Sequence, residues 1–166
     1  MEKIEGASFD AGPLIHLSEI NQLSLLELVD KKIIAEEVYE EYKKHGEEEL
    51  NVEITSLTSE AKEYSTALMN EYYLDLGEAE AIDLAKQEDL QYFFTDDLEA
   101  REVGEVLGLK VHGVLGLVIR AYRESLVDQS KAEEILEALY DDSSLFITSK
   151  IVKKAKVEMS RFPKEG

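Results

Sequence analysis

Carboxylates are the side chains of this sequence best placed to do chemistry. Asp10 follows a short apolar segment in FDAGPLIHL, and Asp96 and Asp97 follow another in YFFTDDLEAR. In open parallel sheets the functional crevice lies beyond the carboxyl ends of the strands, so acids at these places are candidates for a site. An aspartate there can also cap the helix that follows it. Two glutamates add weight to the first reading. In LGEAEAIDLAKQ, Glu78 and Glu80 are separated by about 200° on a helix. Glu78 shares a stripe with Ala81, Ile82 and Ala85, while Glu80 falls nearly opposite. A carboxylate on a core-facing stripe is costly unless something pairs with it, and no basic residue lies one turn away. In IIAEEVYEEYKKHG the buried face centres on Ile34, Val38 and Tyr42, with Glu41 beside it, Glu37 further off and Glu40 pointing away.

Crowded carboxylates repel one another, by roughly 4 kcal/mol for two charges about 4 Å apart at an effective dielectric near 20. A divalent cation removes that penalty. Oxygen-only ligands favour Mg²⁺ or Mn²⁺, and such cations also take phosphate oxygens and acidify water. Phosphodiester hydrolysis is the reaction class that follows.

Other chemistries find less support. The chain has no cysteine, which excludes disulfides, thiolate zinc sites and cysteine nucleophiles. His16, His45 and His112 are too far apart in sequence for a zinc pattern and read as surface or packing residues. There is no Gly-rich Lys-Ser/Thr loop for nucleotide phosphates. The net charge of −19 opposes broad binding to nucleic acid. Basic residues nevertheless gather in a C-terminal segment, 149–166, where Lys150, Lys153 and Lys154 share one helical face that could meet phosphates. Arg101 could face phosphate too, or pair with Glu105 one turn on.

The elements that must position these groups alternate between short β-rich runs and longer helical patterns, the mark of a mostly parallel α/β sheet. Strands are expected at 7–9, 32–34, 92–95 and 110–114, with a late edge strand at 145–147. Helices are expected at 14–20, 23–29, 36–44, 59–73, 78–88, 98–107, 117–125, 131–139 and 150–159. Pro13 suits a first helical turn, and Gly46 and Gly108 read as left-handed helix stops. The stretch 46–53 should be the least ordered. At 166 residues and 44% apolar content, one domain spanning 1–166 is expected. No apolar run approaches a membrane span, and the acidic N-terminus does not read as a signal peptide, so a cytoplasmic location is expected.

Taken in order, these motifs resemble the PIN-domain ribonuclease family, and within it the prokaryotic VapC-like branch. FDAGPLIHL resembles the opening strand and turn and carries over Asp10; VYEEY carries over Glu41, three residues after its valine. GEAEAIDLA resembles the start of the central helix and selects Glu78. TDDLEAR resembles the last acidic motif and selects Asp97, with Asp96 as the other register, while KVHGVLGLVIRA resembles the final core strand and helix. The resemblance implies a three-layer α/β/α sandwich with a central sheet of four to five strands. It further implies a Mg²⁺- or Mn²⁺-dependent endoribonuclease in which Asp10, Glu41, Glu78 and Asp97 are catalytic and Thr95 helps position the metal water. An RNA substrate, an antitoxin protein and a homodimer are the partners so implied. The alternative is a catalytically inactive PIN-like module that binds protein or RNA.

Overall fold

The computed structural model describes residues 3–161. Strand β1, Ile4–Phe9, leads into α1, Ala11–Glu19, and a 3-10 turn at Leu23–Leu28. Then come β2, Val29–Ile34; α2, Glu36–His45; β3, Glu53–Ile54; α3, Ser59–Glu71; and α4, Leu76–Gln87. The remainder comprises β4, Tyr92–Phe94; α5, Leu98–Val106; β5, Lys110–His112; α6, Val114–Arg123; α7, Gln129–Asp142; and α8, Ser149–Arg161.

All five strands are parallel, in the order β3-β2-β1-β4-β5. The chain builds outward from β1 through β2 to β3, then returns to β1's other side for β4 and β5. The order therefore reverses between β1 and β4, and a crevice opens at such a switch point beyond the strand ends. The two central strands are buried along nearly their whole length, as a sheet covered on both faces requires, with only Glu5 of β1 exposed. Phe9 pairs with Phe94 in register, their rings stacked at 4.9 Å. The next residues, Asp10 and Thr95, thus emerge side by side, and the Asp10 N–H still reaches the Phe94 carbonyl at 2.9 Å.

Helix α4 is the central helix. Gly77, Ala79, Ala81, Ile82, Asp83, Leu84 and Ala85 are all buried, so it is enclosed on more than one stripe. Its small residues suit close packing on the sheet, where the Ser8 hydroxyl donates to the Ala81 carbonyl at 2.7 Å.

Several expectations need correction. The fifth strand of the sheet is β3, whereas 145–147 forms no strand. That apolar run alternates as a strand would, but it connects α7 to α8, and the preceding Ser144 is tied to Glu19 at the end of α1. Glu53 belongs to the edge strand rather than to an irregular stretch. The 23–29 pattern gives a 3-10 turn, and Val29 already pairs with Ile4 in the sheet. Val114 starts a helix instead of ending a strand. Gly46 is extended, at φ −93°, and its value lies in having no side chain: a Cβ there would clash with the Tyr42 ring, 2.2 Å from its Cζ. Gly108 does take the left-handed conformation, at φ 87°.

Candidate metal and hydrolytic site

Asp10 is the buried centre of the acidic group, with 7% of its surface exposed. It caps α1, accepting the Ala11 N–H at 2.8 Å, and its other oxygen accepts the Thr95 hydroxyl at 2.8 Å. Thr95 is fully buried, and its oxygen in turn accepts the Asp97 N–H at 3.1 Å. One hydroxyl therefore fixes both the first acid and the turn that carries the last. Burial, opposed by these two hydrogen bonds and reinforced by the charges of Asp75 and Glu41, raises the Asp10 carboxyl to about 7.

Glu78 reaches the same place from the first turn of α4. Its carboxylate accepts the Asp75 N–H at 2.8 Å while Asp75 accepts the Glu78 N–H at 2.8 Å, a reciprocal capping box that fixes both side chains. Burial raises Glu78 to about 9; a hydrogen bond with the Asp97 carboxyl and the charges of Asp75 and Asp10 add to the effect. Asp97 caps α5 by accepting the Ala100 N–H at 2.9 Å, so the cap role and proximity to Glu78 coexist in one residue.

Glu41 enters from α2. It is half-buried, whereas Glu37 and Glu40 are exposed. Burial and then the Asp75 charge push its carboxyl upward. Gly77 leaves the space it occupies: a Cβ there would stand 3.4 Å from Glu41 Oε2 and 3.6 Å from Asp75 Oδ1. Asp10 therefore feels Glu41, Glu78 feels Asp10 and Asp97, and Asp75 acts on Asp10, Glu41 and Glu78.

Asp96 has other work. Its carboxylate meets His16 Nδ1 at 2.8 Å and accepts the Val114 N–H at 2.8 Å, anchoring the start of α6. Gly113 makes room for this, since a Cβ would lie 2.5 Å from Asp96 Oδ1 and 3.1 Å from Arg101 Nη2. Arg101 is half-buried and, among the described residues, forms no ion pair with Glu105. Lys150, Lys153 and Lys154 are exposed on α8, and of the three Lys154 lines a cavity between α5, α6 and α8 together with Arg101. Glu80 is separate from the acid group: it is half-buried and faces the charges of Glu37 and Lys62.

Two participants escaped the sequence reading. Starting the helix at Glu78 hid Asp75, although the Asp-x-x-Glu spacing is the signature of a capping box. His16 meets Asp96 across 80 positions, and no local signal predicts that pairing.

The donor set fits a hard cation in its chemistry: carboxylate oxygens alone, with two of the acids held above neutral or near it by burial and mutual repulsion. As the side chains stand, no group of three or more His, Cys, Asp or Glu among the described residues is drawn into a coordination cluster. The carboxylates here are instead directed to backbone N–H groups, Thr95 and one another, which is how crowded acids lower their repulsion without a cation.

A family model described as PIN domain matches residues 7–161, and the chain belongs to the PIN-domain family. Its parallel sheet with surrounding helices is the PIN-like α/β/α sandwich. No curated protein matches the chain. PIN domains are generally nucleases, typically use divalent metal ions, and include RNA-binding members, so membership supports a nuclease-type role in coarse terms. Among the described residues no helix is long and apolar enough to cross a membrane.

Proposed function

We propose that this protein is a metal-dependent endoribonuclease that hydrolyses RNA phosphodiester bonds with Mg²⁺ or Mn²⁺. What supports the reading is the surroundings of Asp10, Glu41 and Glu78 beyond the strand ends: burial and like charge raise all three carboxyls, Asp10 feels Glu41, and Glu78 feels Asp10 and is hydrogen-bonded to Asp97.

Asp10, Glu78 and Asp97 would hold the cation, with Glu41 in the same pocket and Asp96 the neighbouring acid. When bound, the cation supplies positive charge at the scissile phosphate and lowers the pKa of an attacking water. Thr95 acts by orienting Asp10, because its hydroxyl hydrogen is committed to that carboxylate. Asp75 and Glu78 hold each other through the capping box, and His16 with the Val114 N–H keeps Asp96 turned aside. Glu41 is free of hydrogen bonds from described residues, which leaves its oxygens available to accept a proton from water. Arg101, with Lys150, Lys153 and Lys154, would meet the RNA backbone.

The test is cleavage of single-stranded RNA by purified protein. Activity should require Mg²⁺ or Mn²⁺, stop with chelator and be lost in Asp10→Asn. Absence of metal-dependent cleavage would instead favour a non-catalytic module that binds protein or RNA. An antitoxin partner and a homodimer belong to the same proposal; light scattering that shows a monomer at high micromolar concentration would reject the latter.

A further inference from the structure

Asp75 has one more oxygen than its helix cap uses. As the N-cap of α4 it accepts the Glu78 N–H on Oδ1 at 2.8 Å, and among the described residues its other oxygen accepts no hydrogen bond. The side chain is exposed, yet the backbone beneath it is held on both sides. Leu74 before it is buried, and the Asp75 N–H donates to Glu78 Oε1 at 2.8 Å. The open oxygen therefore projects from a fixed turn at the edge of the acid group.

The neighbouring acids are committed differently. Asp10 has one oxygen on the Ala11 N–H and the other on the Thr95 hydroxyl, Asp97 caps α5, and Glu78 accepts the Asp75 N–H and shares a hydrogen bond with Asp97. Asp75 stands beside Glu41 over Gly77, where a Cβ would meet Asp75 Oδ1 at 3.6 Å and Glu41 Oε2 at 3.4 Å. Its charge acts on Asp10 ahead of that of Glu41, and on Glu41 ahead of that of any other group.

Capping alone does not call for that charge. Serine and asparagine cap a helix about as well as aspartate, with no charge added to a crowded group. The helix dipole offsets only part of the repulsion from Asp10, Glu41 and Glu78. Among the described residues no Lys, Arg or His forms an ion pair with Asp75. A carboxylate in this place becomes favourable when a cation enters the acid group.

We infer that Asp75 is a further acid of the cation site, meeting the hydrated cation through one of its waters with the oxygen that the cap leaves open. The inference rests on the metal-dependent reading of the site and adds to it a residue outside Asp10, Glu41, Glu78 and Asp97. Mg²⁺ gives up water reluctantly and is bound directly by one or two carboxylates, so it keeps several waters. Those waters need acceptors, and a water that bridges two groups is nearly as good as a direct contact. An exposed carboxylate at the edge suits this role, which asks for charge and an acceptor more than for exact placement.

Substitution separates the two roles, because Asp75→Asn keeps an oxygen for the Glu78 N–H and removes the charge. Mn²⁺ binding to the full chain can be followed at pH 8 by electron paramagnetic resonance of the free ion, scoring the site that Asp10→Asn abolishes. In low salt, Asp75→Asn should weaken that site on the order of 10-fold, the effect of one charge lost near a divalent ion. Its urea midpoint in chelator should stay that of wild type, since the cap is kept. A contact through water is screened, so the loss should shrink to about 2-fold in ~0.5 M KCl, whereas Glu78→Gln should lose affinity at both salt concentrations. A cap and nothing more predicts no change in Mn²⁺ affinity for Asp75→Asn. Equal affinity of Asp75→Asn and wild type in low salt would overturn the inference, and so would a loss that salt leaves intact. Wild-type protein with no Asp10-dependent Mn²⁺ site would overturn both the inference and the metal-dependent reading. Asp75-dependent Mn²⁺ binding by a chain that cleaves no RNA would sink the ribonuclease reading alone. Metal-dependent cleavage in which Asp75→Asn needs no more Mn²⁺ than wild type would sink the inference alone.

Discussion

Replacing Asp10 by asparagine exchanges a buried carboxyl for a neutral side chain of nearly the same shape, and the consequence for stability can be worked out before any activity is measured. The folded protein holds this carboxyl at about 7, against 3.8 for the ordinary group. Because the folded value is the higher one, Asp10's favourable contribution is complete below about pH 3.8 and is lost as pH rises to about 7. At 1.36 kcal/mol per unit the loss is about 4 kcal/mol, an order-of-magnitude figure for a group this buried. At pH 8 in chelator, Asp10→Asn should therefore be more stable than wild type by up to about 4 kcal/mol. For a chain of this size that corresponds to about 8–16 °C in Tm. Thermal denaturation followed by circular dichroism between pH 4 and 9 reads the difference directly: the two Tm values should approach each other at acid pH and separate toward pH 7. Added Mn²⁺ should then raise the wild-type Tm and leave the variant's nearly unmoved. An asparagine variant no more stable than wild type at pH 8 in chelator would refute the claim that burial penalises this charge.

Glu78→Gln should weaken Mn²⁺ binding substantially by calorimetry while Glu80→Gln leaves it nearly unchanged, because Glu80 faces Glu37 and Lys62 instead of the acid group; equal effects would be contrary to this arrangement. Asp75→Ala should destabilise the fold by about 1 kcal/mol through loss of a helix cap, measured by urea denaturation, whereas Asp75→Ser should keep most of that stability while removing one charge from the site. Gly46→Ala should cost about 1–3 kcal/mol in the same assay, since the new Cβ would clash with the ring of Tyr42, whose hydroxyl is held by the Glu48 carbonyl at 2.6 Å.

These acids stand out in the sequence because Asp10 and Asp97 follow apolar strands, Glu78 lies in the first turn of a helix on its inward stripe, and Glu41 sits beside the buried face of another. The family resemblance fixed their order. What remained hidden depended on contacts between distant segments. Asp97 and Asp96 look interchangeable as neighbours, and only His16 and the α6 N-terminus, arriving from elsewhere, turn Asp96 away from Glu78. The same limit explains the 145–147 segment, whose Leu-Phe-Ile run has a strand's alternation; pairing requires a free sheet edge, and the chain there runs between two helices. Glu80 was placed correctly apart from Glu78, but the single-stripe projection understated the enclosure of α4, which packs against neighbours on several sides.

A metal-dependent hydrolysis at this place requires that these carboxylates hold one cation. Anomalous scattering from crystals grown with Mn²⁺ would decide this: a peak among the carboxyl oxygens of Asp10, Glu78 and Asp97, with Glu41 in the same pocket, is the predicted result, and no peak there under saturating Mn²⁺, or a peak held by other residues, would contradict it.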